Sequence, residues 1–112
     1  ERSEIVSSCF IYKDCAISVA KINGADGRII TSQAADEMLN ISGVKASFVI
    51  FKDSDTTNIS ARSLGELNVQ LVMEKLGGGG HLTMAAAQLK NSDTSDSLVL
   101  LKKAIDNYYD SL

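Results

Sequence analysis

Hydrophobic residues fall into short blocks separated by polar turns, and the first two blocks predict a β-hairpin. The segments Phe10–Tyr12 and Ala16–Ala20 are rich in residues that favour strands. The polar pair Lys13-Asp14 separates them. Residues 23–27 (Asn-Gly-Ala-Asp-Gly) then have the composition of a turn or of a helix entry.

A short helix is predicted next, with Thr31 or Ser32 as its N-cap. Its apolar positions follow helical spacing, and residues 40–43 end it; these positions are Ala34, Ala35, Met38 and Leu39. Val44–Phe51 is a nearly continuous apolar run, which indicates a central strand buried on both faces. Thr56–Ser63 alternates apolar and polar residues after a polar turn and is predicted to be its partner strand.

The second half of the chain predicts a helix, a strand and a long C-terminal helix. Residues 67–76 have helical spacing and end at Gly77, a residue suited to terminate a helix. Residues 82–89 are compatible with a helix or a strand, and their position between two loops favours a strand. The last helix follows a loop that ends in capping residues; its apolar face comprises Leu98, Leu101, Ile105, Tyr108 and Leu112.

The element order is therefore β-β-α-β-β-α-(Gly loop)-β-α. It predicts one α/β (or α+β) domain spanning residues 1–112, with a mixed sheet of about five strands and helices packed on it. The chain does not begin with Met, so we expect it to be part of a longer multidomain protein.

Composition narrows the classes of function. The chain is 45% hydrophobic and 22% charged, as in a soluble globular protein, and has no apolar run long enough to span a bilayer. We therefore expect a cytoplasmic domain without direct membrane contact. The net charge of −3 argues against a broad surface for duplex nucleic acid, because such surfaces depend on Lys and Arg.

Cysteine and histidine usage excludes several kinds of catalytic centre. Cys9 and Cys15 are predicted to be buried free thiols, and with one histidine in the chain they cannot form a four-ligand Cys/His zinc site. The acidic residues are scattered, so a two-metal phosphoesterase centre is not expected in this segment. No nucleophile with an adjacent base is evident. On these grounds the chain is predicted to bind a ligand and to hold no metal or cofactor itself.

The glycine run at 77–80, which comprises Gly77, Gly78, Gly79 and Gly80, is the strongest candidate site. Four consecutive glycines are entropically expensive to order, and they allow backbone N–H groups to converge on an anion such as a nucleotide phosphate. His81 follows at once and supplies a donor or a proton. The run is neither a Walker motif nor a dinucleotide fingerprint. A flexible connector is the alternative interpretation.

Arg62 is the second candidate, within Ser60-Ala61-Arg62-Ser63. An arginine in an apolar strand must reach solvent or a partner. If it lies on the same surface as the glycine run, its planar fork would hold a phosphate through two hydrogen bonds, to which Ser60 and Ser63 would add hydroxyls. An exposed strand arginine, or one paired with Asp or Glu, explains the pattern equally well.

These residues resemble a known family. The Gly77–His81 block, the following Ala85-Ala86, the upstream Ser60–Ser63 and the intervening helix resemble the DHH-associated domain of the DHH phosphoesterases. The stretches 34–39, 43–50 and 59–88 are most similar to cyclic-di-AMP phosphodiesterases of the GdpP (YybT) type.

The resemblance implies a division of labour. A preceding DHH domain would hold two Mn²⁺ ions and hydrolyse the substrate, while this domain would grip the nucleotide through Arg62 and the Gly77–His81 loop. It also implies a membrane-anchored parent protein. His81 would stabilise charge that develops on the phosphate.

Two other functions stay open at this point. One is the equivalent clamp of a nanoRNase or single-strand exonuclease of the same superfamily, which takes short oligonucleotides. The other is a non-catalytic interaction module that uses a sheet edge or the last helix, with Tyr108, Tyr109 and Leu112 as its contact residues.

Overall fold

The computed structural model describes residues 2–22 and 26–112, and it contains a six-stranded sheet and four helices within those ranges. The helices are α1 (Arg2–Ser7), α2 (Gly27–Met38), α3 (Val69–Glu74) and α4 (Thr94–Asp110). The strands are β1 (Phe10–Tyr12), β2 (Cys15–Ala20), β3 (Ala46–Asp53), β4 (Thr56–Ser63), β5 (Gly79–Gly80) and β6 (Met84–Lys90).

The sheet is mixed, with the strand order β1-β2-β3-β4-β6-β5. Only β2 and β3 pair in parallel, because α2 connects them as a crossover. The other pairs are antiparallel. In the centre, Ser60 of β4 lies opposite Val49 of β3 and Ala86 of β6.

Helices cover the two faces of the sheet unequally. On one face, α3 and α4 bury a large cluster that includes Phe48, Ile59 and Ile105. On the other face, α1 and α2 bury a smaller cluster around Val49 and Phe51. That second cluster takes no residue from β6, whose side chains on this face are exposed. Half of this face is therefore left accessible.

Most predicted elements are confirmed. The hairpin, the central strand, its partner and the strand after the glycines all form. Asn68 caps α3 by accepting a hydrogen bond from the Leu71 amide, and Asp93 caps α4 in the same way through Asp96. The α/β class is confirmed, with six strands where about five were expected.

Several details differ from the sequence prediction. The second helix begins at Gly27, so Thr31 lies inside it and its hydroxyl donates to the Gly27 carbonyl instead of capping an end. The two-residue strand β5 and the helix α1 were not predicted. Residues 23–25 of the predicted turn lie outside the described residues.

The structure also corrects the predicted burial of two residues, Leu112 and Cys9. Leu112 is 81% exposed and lies beyond the end of α4, so it is not part of the core. Cys15 is buried as expected, but Cys9 is only half-buried; both thiols are free. Within the described ranges, none of the helices is long and apolar enough to cross a membrane.

Candidate functional site

The accessible half-face is built from β4, β6 and β5, and α2 forms its wall. Residues that lie directly opposite in antiparallel strands point to the same side. The register thus aligns Arg62 with Met84, Ser60 with Ala86 and Gly79, and Asn58 with Gln88. We call these seven residues the open face. Met84, Ala86 and Gln88 are exposed, whereas Asn58 and Ser60 are buried.

Arg62 is the charged group of the open face. Only 12% of its side chain is exposed, which is unusual for an arginine. Its Nη1 donates a hydrogen bond of 2.9 Å to the Ala61 carbonyl. Among the described residues, its Nε is the one enclosed side-chain polar atom without a hydrogen bond. Because a guanidinium carries five N–H donors, most of them are available to a ligand.

Asp36 of α2 provides a partner for this arginine. Its Oδ1 lies 3.1 Å from Arg62 Nε, a distance that makes an ion pair although the angle does not give a hydrogen bond. The Asp36 side chain is 63% exposed, so the pair contributes at most about 1 kcal/mol. The sequence had left open whether Arg62 pairs with an acid or meets a ligand. The structure shows a weak ion pair with an acid, Asp36.

The first two glycines terminate α3. The Gly77 amide donates to the Glu74 carbonyl and the Gly78 amide to the Met73 carbonyl, the two hydrogen bonds of a Schellman motif. Gly77 has φ +82°, a conformation in which a side chain is strained. These two amides are therefore occupied within the protein and are not free to converge on an anion.

The next glycines form the sheet edge against β6. A Cβ on Gly78 would lie 2.1 Å from the Ala86 carbonyl oxygen, and one on Gly80 would lie 2.5 Å from Ala85 Cα. A Cβ on Gly79 would meet no atom within 4 Å. Gly78 and Gly80 thus face the neighbouring backbone, whereas Gly79 faces open space beside Ala86. The run is an ordered edge, not a flexible connector.

His81 lies in the turn that joins β5 to β6, and we call this position the corner of the open face. Its backbone amide donates to the Met84 carbonyl at 2.6 Å, and its side chain is exposed. The turn that follows is fastened to the end of β4, because the Ser63 amide and hydroxyl donate to the Thr83 and Leu82 carbonyls. The backbone of His81 is thereby fixed beside Met84, the residue opposite Arg62.

The predicted site residues thus divide into two groups. Ser60, Arg62 and Gly79 lie on the open face, with His81 at its corner. Ser63 points to the opposite face, where its hydroxyl fixes the turn, and Gly77, Gly78 and Gly80 serve the backbone path. Sequence reasoning missed Asp36, the partner of Arg62. The polar residues Asn58, Ser60 and Arg62 recur at every second position of β4, and this spacing already indicated that one side of the strand is polar.

The open face offers recognition chemistry: a planar cation with free donors, an imidazole, a hydroxyl and a smooth floor of small residues. Ser60 makes no side-chain hydrogen bond within the described part of the chain, so its hydroxyl is available as well. Among residues 2–22 and 26–112, no three His, Cys, Asp or Glu side chains gather in a way that could hold a metal ion. The described residues therefore do not fit the two-metal centre.

Comparison with known proteins gives consistent matches. The model of the DHHA1 domain family matches residues 15–110. The chain is 49% identical over 111 residues to the cyclic-di-AMP phosphodiesterase PdeA of Listeria monocytogenes, covering 97% of this chain and 17% of that protein. It is 45% identical over 114 residues to GdpP of Bacillus subtilis, covering 98% of this chain and 17% of that protein.

A solved structure shares the fold. An exopolyphosphatase-related protein from Bacteroides fragilis superposes with a TM-score of 0.79 at 22% identity, over 96% of this chain and 33% of that one. The chain spans about a sixth of the length of the two curated relatives above. The family match extends over most of the sheet and all of α2, α3 and α4, and on this evidence the chain belongs to the DHHA1 domain family.

Proposed function

We propose that this chain is the substrate-binding domain of a cyclic-di-AMP phosphodiesterase. The observation that carries the proposal is the register of β4, β6 and β5, which brings Arg62, Gly79 and the His81 corner to one accessible face. The identity of 49% to part of PdeA and 45% to part of GdpP, over nearly the whole of this chain, supports the choice of substrate.

In this proposal Arg62 binds a phosphate of the substrate. Its free N–H donors would take two phosphate oxygens, a geometry suited to a planar guanidinium. The weak ion pair with Asp36 would hold the Arg62 side chain in place before the substrate binds, and the phosphate would then replace Asp36 as its partner. Gly79 keeps the edge flat, so that the nucleotide can approach the backbone beside Ala86.

His81 would act on the same phosphate from the corner. An imidazole at the rim donates a hydrogen bond, or as a cation adds charge, where negative charge develops during hydrolysis. In this proposal a separate, preceding DHH domain, which the family resemblance implies, would supply the Mn²⁺ ions and the attacking water. The domain would work in the cytoplasm as part of a membrane-anchored protein, and this fragment alone would be inactive.

The test is kinetic and uses the complete phosphodiesterase. Arg62→Ala is expected to lower kcat/KM for cyclic-di-AMP by about 10- to 100-fold, the loss of hydrogen bonds to a charged group. His81→Ala is expected to lower kcat by about 100-fold. Gly79→Leu should raise KM, because its side chain projects into the open face. Lys103→Ala, on an exposed position of α4, is the matched control.

Unchanged kinetics for Arg62→Ala and Gly79→Leu would refute the proposed site. A substrate panel separates the alternative within the superfamily. Preference of the wild-type enzyme for short RNA or single-stranded DNA over cyclic-di-AMP would make the domain the clamp of a nanoRNase or exonuclease.

A further inference from the structure

Asn58 is a buried amide that the fold leaves without a partner. Its residue is 6% exposed, yet its side chain makes no hydrogen bond within the described part of the chain. Since Arg62 Nε is the one fully enclosed unpaired atom there, the Asn58 amide still meets solvent. The donors and the acceptor of this amide are therefore unused within the described part of the chain and are available to a ligand on the open face.

A second amide stands directly beside it. Gln88 of β6 lies opposite Asn58 of β4, which brings their Cβ atoms to about 5 Å, and the Gln88 side chain is exposed and likewise unpaired in the described residues. The two amides face the same side as Arg62. Together they present both donors and acceptors at one end of the open face.

The spacing between this amide pair and Arg62 suits one nucleotide. Arg62 lies four positions after Asn58, a distance of about 13 Å along β4. The side chains at both ends are long enough to reach toward each other. Between them lie Ser60, Ala86 and Gly79, whose small size leaves room for a ribose.

We propose that Asn58 and Gln88 form a nucleobase subsite that reads the edge of adenine. An amide presents a carbonyl acceptor next to an N–H donor, which complements the adenine N6 amino group and the adjacent ring nitrogen. The corresponding edge of guanine carries two acceptors, O6 and N7, and repels the amide carbonyl. This subsite rests on the proposed function, because Arg62 fixes the phosphate from which the base is reached.

The test compares substrates in the complete phosphodiesterase. Initial rates give kcat/KM for cyclic-di-AMP and for cyclic-di-GMP in the wild type, Gln88→Ala, Asn58→Asp and the control Asn107→Asp on exposed α4. Gln88→Ala and Asn58→Asp are each expected to reduce the preference for cyclic-di-AMP by about tenfold, the discrimination of a bidentate base contact. The control keeps the wild-type ratio.

Gln88 is exposed, so its variant should fold even if the change at buried Asn58 disturbs the sheet. A preference that stays within twofold of the wild type in Gln88→Ala overturns the subsite, as does an equal loss for both substrates. If Arg62→Ala still lowers kcat/KM for cyclic-di-AMP by about 10- to 100-fold in that case, the phosphate site stands without the base subsite. If the wild type hydrolyses neither cyclic dinucleotide, the proposed function fails and the subsite fails with it.

Discussion

Alanine substitutions along the glycine run test the conclusion that these residues form a sheet edge. In Gly78→Ala the new Cβ would lie 2.1 Å from the Ala86 oxygen and 2.7 Å from Ala87 Cα. An ordinary carbon–oxygen contact is about 3.3–3.6 Å, so the two backbones must separate by more than about 1 Å. In Gly79→Ala the new Cβ meets no atom within 4 Å, and φ there lies outside the left-handed range.

The expected free energies of unfolding follow from these contacts. Overpacking costs about 1–3 kcal/mol, and separating β5 from β6 loses one or two hydrogen bonds at about 1 kcal/mol each, so Gly78→Ala should cost about 3 kcal/mol. Gly77→Ala has space but needs φ +82°, which costs about 1–2 kcal/mol. Gly79→Ala should stay within about 0.5 kcal/mol of the wild type.

Urea unfolding of the 112-residue chain, followed by circular dichroism, measures the three values. With a slope of roughly 1.5 kcal/mol/M for a domain of this size, Gly78→Ala shifts the midpoint down by about 2 M, whereas Gly79→Ala leaves it nearly unchanged. The order of stability should be Gly79→Ala, then Gly77→Ala, then Gly78→Ala. A Gly79 variant as unstable as the Gly78 variant, or a Gly78 variant as stable as the wild type, would refute the edge geometry.

Three further predictions concern the support of the site and the core. Asp36→Asn removes the weak partner of Arg62, a pair worth at most about 1 kcal/mol. We therefore expect KM for cyclic-di-AMP to change by less than about fivefold with kcat retained, and a large fall in kcat would contradict this positioning role. Tyr108→Phe removes the hydroxyl oxygen that accepts a hydrogen bond of 3.0 Å from the Asn68 amide. The free energy of unfolding measured in urea titrations should fall by about 1–2 kcal/mol, and no change would show that water replaces the hydroxyl. Burial raises the pKa of the Cys15 thiol from 9.0 to about 12, so between these pH values the folded state keeps a proton that the unfolded state loses. The contribution of Cys15 to the free energy of unfolding is fully present below pH 9 and falls by up to about 1.4 kcal/mol per pH unit between 9 and 12. Urea titrations across this range measure the slope, and the same slope in Cys15→Ala would rule out this cause.

Local patterns in the sequence were enough to place most of the elements. The apolar run of β3 is nearly continuous, with Ser47 as its one polar position before Lys52. The caps Asn68 and Asp93 mark their helices through contacts three residues away. Gly77 ends α3 because the turn there needs a positive φ, which glycine adopts without strain. The resemblance to the DHH-associated domain also rested on contiguous residues, and the family match confirmed it.

The tertiary structure decided what those residues do. A run of glycines has no side-chain periodicity, so nothing in it distinguishes a loop from the edge strand β5; the backbone of β6 imposes that difference on Gly78 and Gly80. The partner of Arg62 lies on another element, 26 positions earlier at Asp36, and Asn58 meets Gln88 only through the strand register. Strand alternation assigns a residue to one of two faces, but only the packing of α2 on half of one face decides which residues remain accessible to a ligand.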